Sequence, residues 1–146
     1  MKRQSNQTKL AIRLPNWIGD ALMAHPLLEA LAEAKVDFTC FGKDWVSQIF
    51  SGTDFRFVAD ARVENKLWLK NQYRRGGFTH VILCPNSFSA ILPAALAQVK
   101  TTGYHFLCSD RVIFKGGVHR VENYFELGRS FFGAELKVGE RNQFIP

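Results

Sequence analysis

The sequence holds only three cysteines, Cys40, Cys84 and Cys108, and no C-x-x-C pair. An odd number of thiols without paired spacing excludes a disulfide framework and offers no zinc or dithiol redox pattern. Two of them fall in apolar runs that read as strands, so the cysteines are taken as small buried hydrophobes of a reducing compartment. Long apolar runs are also missing: none approaches the ~18–20 residues of a membrane span. The opening MKRQSNQTKL is basic and polar with no apolar stretch, so it does not read as a secretory signal. Basic residues form only short groups such as YRRGG at Tyr73–Gly77, with no helix-turn-helix, zinc-finger or RNA-motif signature. Nucleic acid is therefore not the expected partner. Asp, His and Cys residues do not gather at ligand spacings, and no metal is expected.

What is present is enough for an ordinary globular domain. The chain has 146 residues and 22% charged side chains, a length that can bury a core without disulfide or metal staples. Short apolar runs alternate with helical patterns. Leu10–Leu14 reads as a strand, followed by helical periodicity over Asp20–Glu33. Val36–Gly42 alternates as a strand, Lys43–Phe50 reads as a short helix and Phe55–Ala59 as a strand. A helix is expected near Asn65–Arg75, a fully apolar strand at His80–Pro85, and a small-residue helix over Phe88–Val99. The last helix spans His119–Ala134 and ends near Gly133, and the tail KVGERNQFIP carries no helix or strand signal. Pro26 and Pro93 lie inside helical patterns, where each should kink or restart the helix.

Strands alternating with helices predict right-handed βαβ crossovers. The expected fold is therefore α/β: a Rossmann-like, mainly parallel sheet with helices on both faces, in one domain over 1–146. In such sheets ligands bind at the carboxyl ends of the strands, which brings Pro15–Asp20, Gly42–Asp44 and Pro85–Ser89 to one working edge. The first strand-to-helix turn, however, has a single glycine, Gly19, with Asp20 directly after it. A dinucleotide or phosphate cradle uses several glycines, so an unrelated Rossmann-like nucleotide binder is the weaker reading. Asp20 can be a helix-start carboxylate that caps N–H groups, or a general base with Gly19 admitting a substrate closely. Asn16 and Trp17 suit sugar recognition by hydrogen bonds and stacking, or else turn chemistry and a core anchor. Asn86 and Ser87 are either contacts for substrate hydroxyls or a turn and helix cap. His119 and Arg120 open the last helix, and a histidine at a helix start reads as structural. Trp45, Trp68 and Phe131–Phe132 read as core or interface residues.

Four stretches in order carry a resemblance: RLPNWIGDALMAHPLLEAL (Arg13–Leu31), CPNSFSAIL (Cys84–Leu92), TTGY (Thr101–Tyr104) and HRVENYFELG (His119–Gly128). Together they resemble the N-terminal half of the ADP-heptose:lipopolysaccharide heptosyltransferases of glycosyltransferase family 9, with PNWIGD and PNS closer to the type II enzymes. The resemblance implies a GT-B glycosyltransferase whose N-terminal Rossmann-like domain holds the acceptor, with Asp20 as catalytic base and Asn16, Trp17, Gly19, Asn86 and Ser87 around the acceptor. The donor ADP-heptose would bind a C-terminal domain absent from this chain, and no cofactor is implied. The implied partner is the anionic lipopolysaccharide inner core. The location is cytoplasmic, with peripheral contact at the inner membrane as an option, and the net charge of +6 is compatible with an anionic acceptor. Two stretches depart from the pattern. Ser89 stands where a basic residue is expected, and HFLCSDRVIFKGG is short and lacks the expected Gly-Glu-Met-Arg-Tyr-Gly run. The alternative is a non-catalytic, truncated or degenerate binding domain.

Overall fold

A computed structural model describes residues 8–137; the polar segment 1–7 and most of the signal-free tail, 138–146, lie outside the described residues. Six strands form one sheet: β1 (Leu10–Arg13), β2 (Phe38–Gly42), β3 (Arg56–Ala59), β4 (His80–Leu83), β5 (Lys100–Gly103) and β6 (Asp110–Arg111). Their order is β3-β2-β1-β4-β5-β6, and every neighbouring pair is parallel. The chain thus winds outward from β1 in one direction, returns to β4, and winds outward in the other. The strand order reverses between β1 and β4, and a crevice opens there at the carboxyl ends.

The strands read as nearly continuous apolar runs because both of their faces are covered. Along β1, Leu10 and Ile12, with Leu14 just beyond, pack into one core with α2 (His25–Glu33) and α6 (Arg120–Phe132). Ala11 faces a second core with α4 (Lys66–Arg75) and α5 (Phe88–Leu96). β4 divides in the same way: Ile82 joins the first core, Val81 and Leu83 the second. All three cysteines are buried and free.

The helical pattern over Asp20–Glu33 is two helices, α1 (Ile18–Met23) and α2, separated at Ala24. Pro26 causes the restart, since proline is tolerated only in the first turn of the new helix. At Pro93 the expected break does not occur. α5 runs through it, because the carbonyl deprived of a partner belongs to Ser89 in the solvent-exposed first turn. The helix expected over Lys43–Phe50 contracts to a single turn, α3 (Val46–Ile49). Two strands had no sequence signal. β5 is KTTG and β6 only two residues, joined to β5 by the short segment Tyr104–Ser109 instead of a helix.

Helices α2, α4 and α5 end alike. Lys35, Gly77 and Gln98 take left-handed backbone, and the N–H of the next residue reaches back to Leu31, Tyr73 and Ala94 respectively. This is the Schellman closure, each time followed by an apolar residue that leads into the next strand. Only the Gly76–Gly77 instance is legible as glycine in the sequence.

Candidate functional site

The crevice between β1 and β4 holds a cavity of about 410 Å³, within the size range of small-molecule sites. β1 feeds Pro15, Asn16, Trp17 and Asp20 to its wall, and β4 feeds Cys84, Pro85, Asn86 and Ser87. Tyr104 arrives from the end of β5, Phe114 from the loop before α6, and Arg120 and Tyr124 from the first turns of α6. A larger depression of about 590 Å³ lies near Phe38 and Arg56, which begin β2 and β3. It is at the amino end of the sheet, where open parallel sheets do not hold ligands, and the smaller cavity is the better site.

Asp20 is the third residue of α1; Trp17 is the N-cap, and no side-chain capping bond forms there. The carboxylate instead faces Arg120, with Nε 3.6 Å from Oδ1, beyond hydrogen-bonding distance but close enough for attraction. Arg120 lies 5.3 Å from the ring centroid of Phe114. The hydroxyl of Tyr124, one turn along α6, is the largest influence holding Arg120 above the ordinary arginine value, with Asp20 adding to it. Across the cleft from one another are therefore an acid and a cation delivered by helices far apart in sequence.

The remaining walls are apolar or neutral. Trp17 is 75% exposed, which rules out the core-anchor reading and leaves its ring free to stack. Asn16 accepts from Arg13 Nη2 through Oδ1 at 2.8 Å, so its amide NH₂ remains available as a donor. Ser87 caps α5 by accepting from Ala90 N at 3.2 Å, and its own O–H can still donate. Capping and site membership coexist there. The Tyr104 hydroxyl is buried without a protein partner, and burial raises the pKa values of both Tyr104 and Tyr124, keeping them protonated donors. Burial likewise pushes Cys84 up to about 12, which makes it a wall and not a nucleophile.

Asn16, Trp17, Asp20, Asn86 and Ser87 therefore converge on one cavity, while Gly19 does not line it. A Cβ at Gly19 would meet nothing within 4 Å, so local packing gives no reason for glycine. Arg120, named in sequence only as a residue that opens the last helix, and Tyr104 and Tyr124 join the site as well; all three lie within HRVENYFELG and TTGY. His119 is structural as expected: its Nδ1 accepts from Val121 N at 3.2 Å. Trp45 and Trp68 are half-buried against the two cores, and Phe131 is buried. Among the described residues no group of three or more His, Cys, Asp and Glu side chains could hold a metal ion. No helix among them is long and apolar enough to cross a membrane.

No protein-family model matches the chain, and no curated protein matches it. Solved structures do. An ADP-heptose lipopolysaccharide heptosyltransferase II from E. coli superposes with a TM-score of 0.71 at 18% identity over 90% of this chain and 42% of that one. A family 9 glycosyl transferase from Veillonella parvula gives 0.74 at 13% identity over 95% of this chain and 46% of that one. The chain spans less than half the length of either. Its doubly wound parallel sheet is a fold found in glycosyltransferases, with the cavity at the point where that sheet reverses.

Proposed function

We propose that this chain is the acceptor-binding half of a family 9 glycosyltransferase that transfers heptose from ADP-heptose to the lipopolysaccharide inner core. The observation that carries the reading is the convergence of Asp20 with Trp17, Asn86 and Ser87 on the switch-point cavity of a fold shared with an ADP-heptose lipopolysaccharide heptosyltransferase II and a family 9 glycosyl transferase. An acceptor sugar stacked on Trp17 meets hydroxyl donors from Tyr104 and Ser87 and the free amide of Asn16. Asp20 takes the proton from the reacting hydroxyl as its oxygen displaces ADP in line, inverting the anomeric carbon, as a base and an opposed leaving group do in inverting glycosidases. Arg120 holds one oxygen of Asp20 and leaves the other to the substrate. The donor is held by a second half of the protein, beyond this chain, and the reaction takes place at the cytoplasmic face of the inner membrane. On its own the 146-residue chain binds acceptor and transfers nothing, because catalysis by positioning needs both substrates at near-attack distance.

The test is Asp20→Asn in the two-domain enzyme. Asn keeps the size and the helix-start preference but cannot take a proton. Turnover should fall by roughly 10²–10⁴-fold with acceptor affinity changed far less. Turnover within a few-fold of the unsubstituted enzyme would remove Asp20 from the mechanism and leave the non-catalytic binding domain as the better reading.

A further inference from the structure

A second cavity, of about 120 Å³, lies on the other side of the sheet at the same switch point. A water's share of liquid volume is about 30 Å³, so there is room for a small ion. Arg13 forms its floor. Alternation along β1 directs Arg13, like Ala11, towards the α4–α5 layer, where an apolar side chain would be the ordinary choice. It is 3% exposed. One Nη donates to the Leu14 carbonyl at 2.6 Å and the other to Asn16 Oδ1 at 2.8 Å; both acceptors are neutral. Its Nε has no partner, and no carboxylate among the described residues forms an ion pair with it. Burial accordingly lowers its pKa, against the opposing influence of Tyr73, Cys84 and Glu64.

A buried cation without a counter-ion is costly unless something supplies the negative charge. The rest of the cavity is suited to doing so. Lys66 is the first residue of α4 and Ser89 the second of α5, so two helix N-termini meet there. Such ends leave N–H groups without internal partners and carry partial positive charge. The one acid on the wall, Glu64, is solvent-exposed and paired with Lys43 at 3.3 Å. We infer that the pocket bounded by Arg13, Asn16, Lys66, Ser87 and Ser89 is an oxyanion site that takes a phosphate monoester. A guanidinium and two helix ends lining one pocket suit a tetrahedral, three-oxygen anion better than a planar carboxylate. Asn16 and Ser87 line both cavities, so a phosphate bound here is held directly across that shared wall from Asp20. A ligand that carries phosphate beside a free hydroxyl would be fixed in register with the main cleft. The inference does not depend on the proposed reaction.

The experiment titrates inorganic phosphate into the 146-residue chain at constant ionic strength, following thermal unfolding and the amide resonances of Lys66 and Ser89. Phosphate should raise the unfolding temperature saturably, by roughly 3–6 °C, and shift both resonances along the same curve. Arg13→Met should abolish both responses. Ser89→Glu, at an exposed position, places a built-in carboxylate at the start of α5. It should raise the unfolding temperature without phosphate and remove the phosphate response, so the inference stays testable if Arg13→Met folds poorly. No saturable response in the unsubstituted chain, equal responses in either variant, or an equal effect of acetate would overturn the assignment. None of these readouts involves the acceptor or turnover, so failure here leaves the role of Asp20 untouched.

Discussion

At the amino ends of the strands, polar groups satisfy one another. Lys9 N donates to Thr79 Oγ1 at 2.9 Å, Thr79 N returns to the Lys9 carbonyl at 2.9 Å, and Lys100 N reaches the Thr79 carbonyl at 3.1 Å. The Lys9 ammonium adds a 2.6 Å bond to the Gly76 carbonyl. At the carboxyl ends of the same strands the pattern reverses. The Tyr104 hydroxyl and Arg13 Nε are buried without partners, Trp17 projects into solvent, and Asp20 meets Arg120 only at 3.6 Å. One end is closed by its own hydrogen bonds, and the other keeps its bonding capacity open. Unmet polar groups cost stability, and at this edge Tyr104 and Arg13 belong to residues that line cavities, where a bound ligand can offset that cost.

If this contrast is correct, substitution at the open end should cost function without costing stability. The largest effect is expected at Arg120. In the proposed reaction Arg120 positions Asp20, and Arg120→Met removes a partly exposed ion pair at 3.6 Å, a contact worth up to about 1 kcal/mol, or roughly 2–5-fold in turnover. The unfolding temperature should stay within a degree or two, since both partners are partly exposed and such pairs add little stability. Arg120→Lys should recover part of the activity, and the pH–rate profile should move with the substitution. An unchanged profile with a lower unfolding temperature would mean that Arg120 serves only to hold α6.

Legibility in the sequence followed the same division. The strands β1 and β4 and the turns after them were readable because apolar runs broke at Pro15 and Pro85, and the parallel order followed from helix–strand alternation. β5 was not, because KTTG has no apolar alternation; buried Thr101 and Thr102 take the place of Val or Ile there, with Thr101 Oγ1 accepting from Ser109 N at 2.9 Å. Since β5 was missed, Tyr104 could not be placed at a strand end. Arg120 was hidden for another reason. Its partner lies a hundred positions earlier, and a helix-start arginine has an ordinary explanation in any sequence. Arg13 was the least legible, because a strand-end arginine normally reaches solvent and its burial is a tertiary fact.

A matched pair of smaller changes sharpens the comparison by sign. Tyr104→Phe deletes a buried hydroxyl that has no protein partner, and should stabilise the free protein by about 1 kcal/mol while weakening acceptor binding. Thr79→Val deletes a hydroxyl that bonds Lys9 N, and should destabilise by about 1 kcal/mol with no effect on binding. Denaturant midpoints at constant m-value measure both. Destabilisation by Tyr104→Phe would show that its hydroxyl is already satisfied, and the two ends of the sheet would no longer differ.

The smallest effect belongs to His80, at the closed end. Its ring packs edge-on to Phe131 at 5.5 Å, Nδ1 is 2.9 Å from Thr79 Oγ1, and burial, with Lys100 nearby, lowers its pKa from the ordinary value. A depressed folded-state pKa means that the unfolded chain binds the proton first. The contribution of His80 is thus fully present above about 6.5 and is lost as pH falls from there through the lower folded value. Between pH 7.5 and 5.5 the unfolding temperature should decline slightly, and His80→Gln should decline less over the same interval. The ring is only partly buried, so water screens the penalty and the difference should be modest. Acid carboxylate effects set in at lower pH and do not enter this window. Parallel pH curves for the two proteins would show that protonated His80 is tolerated, and that even the closed end keeps an ionisable group free to charge.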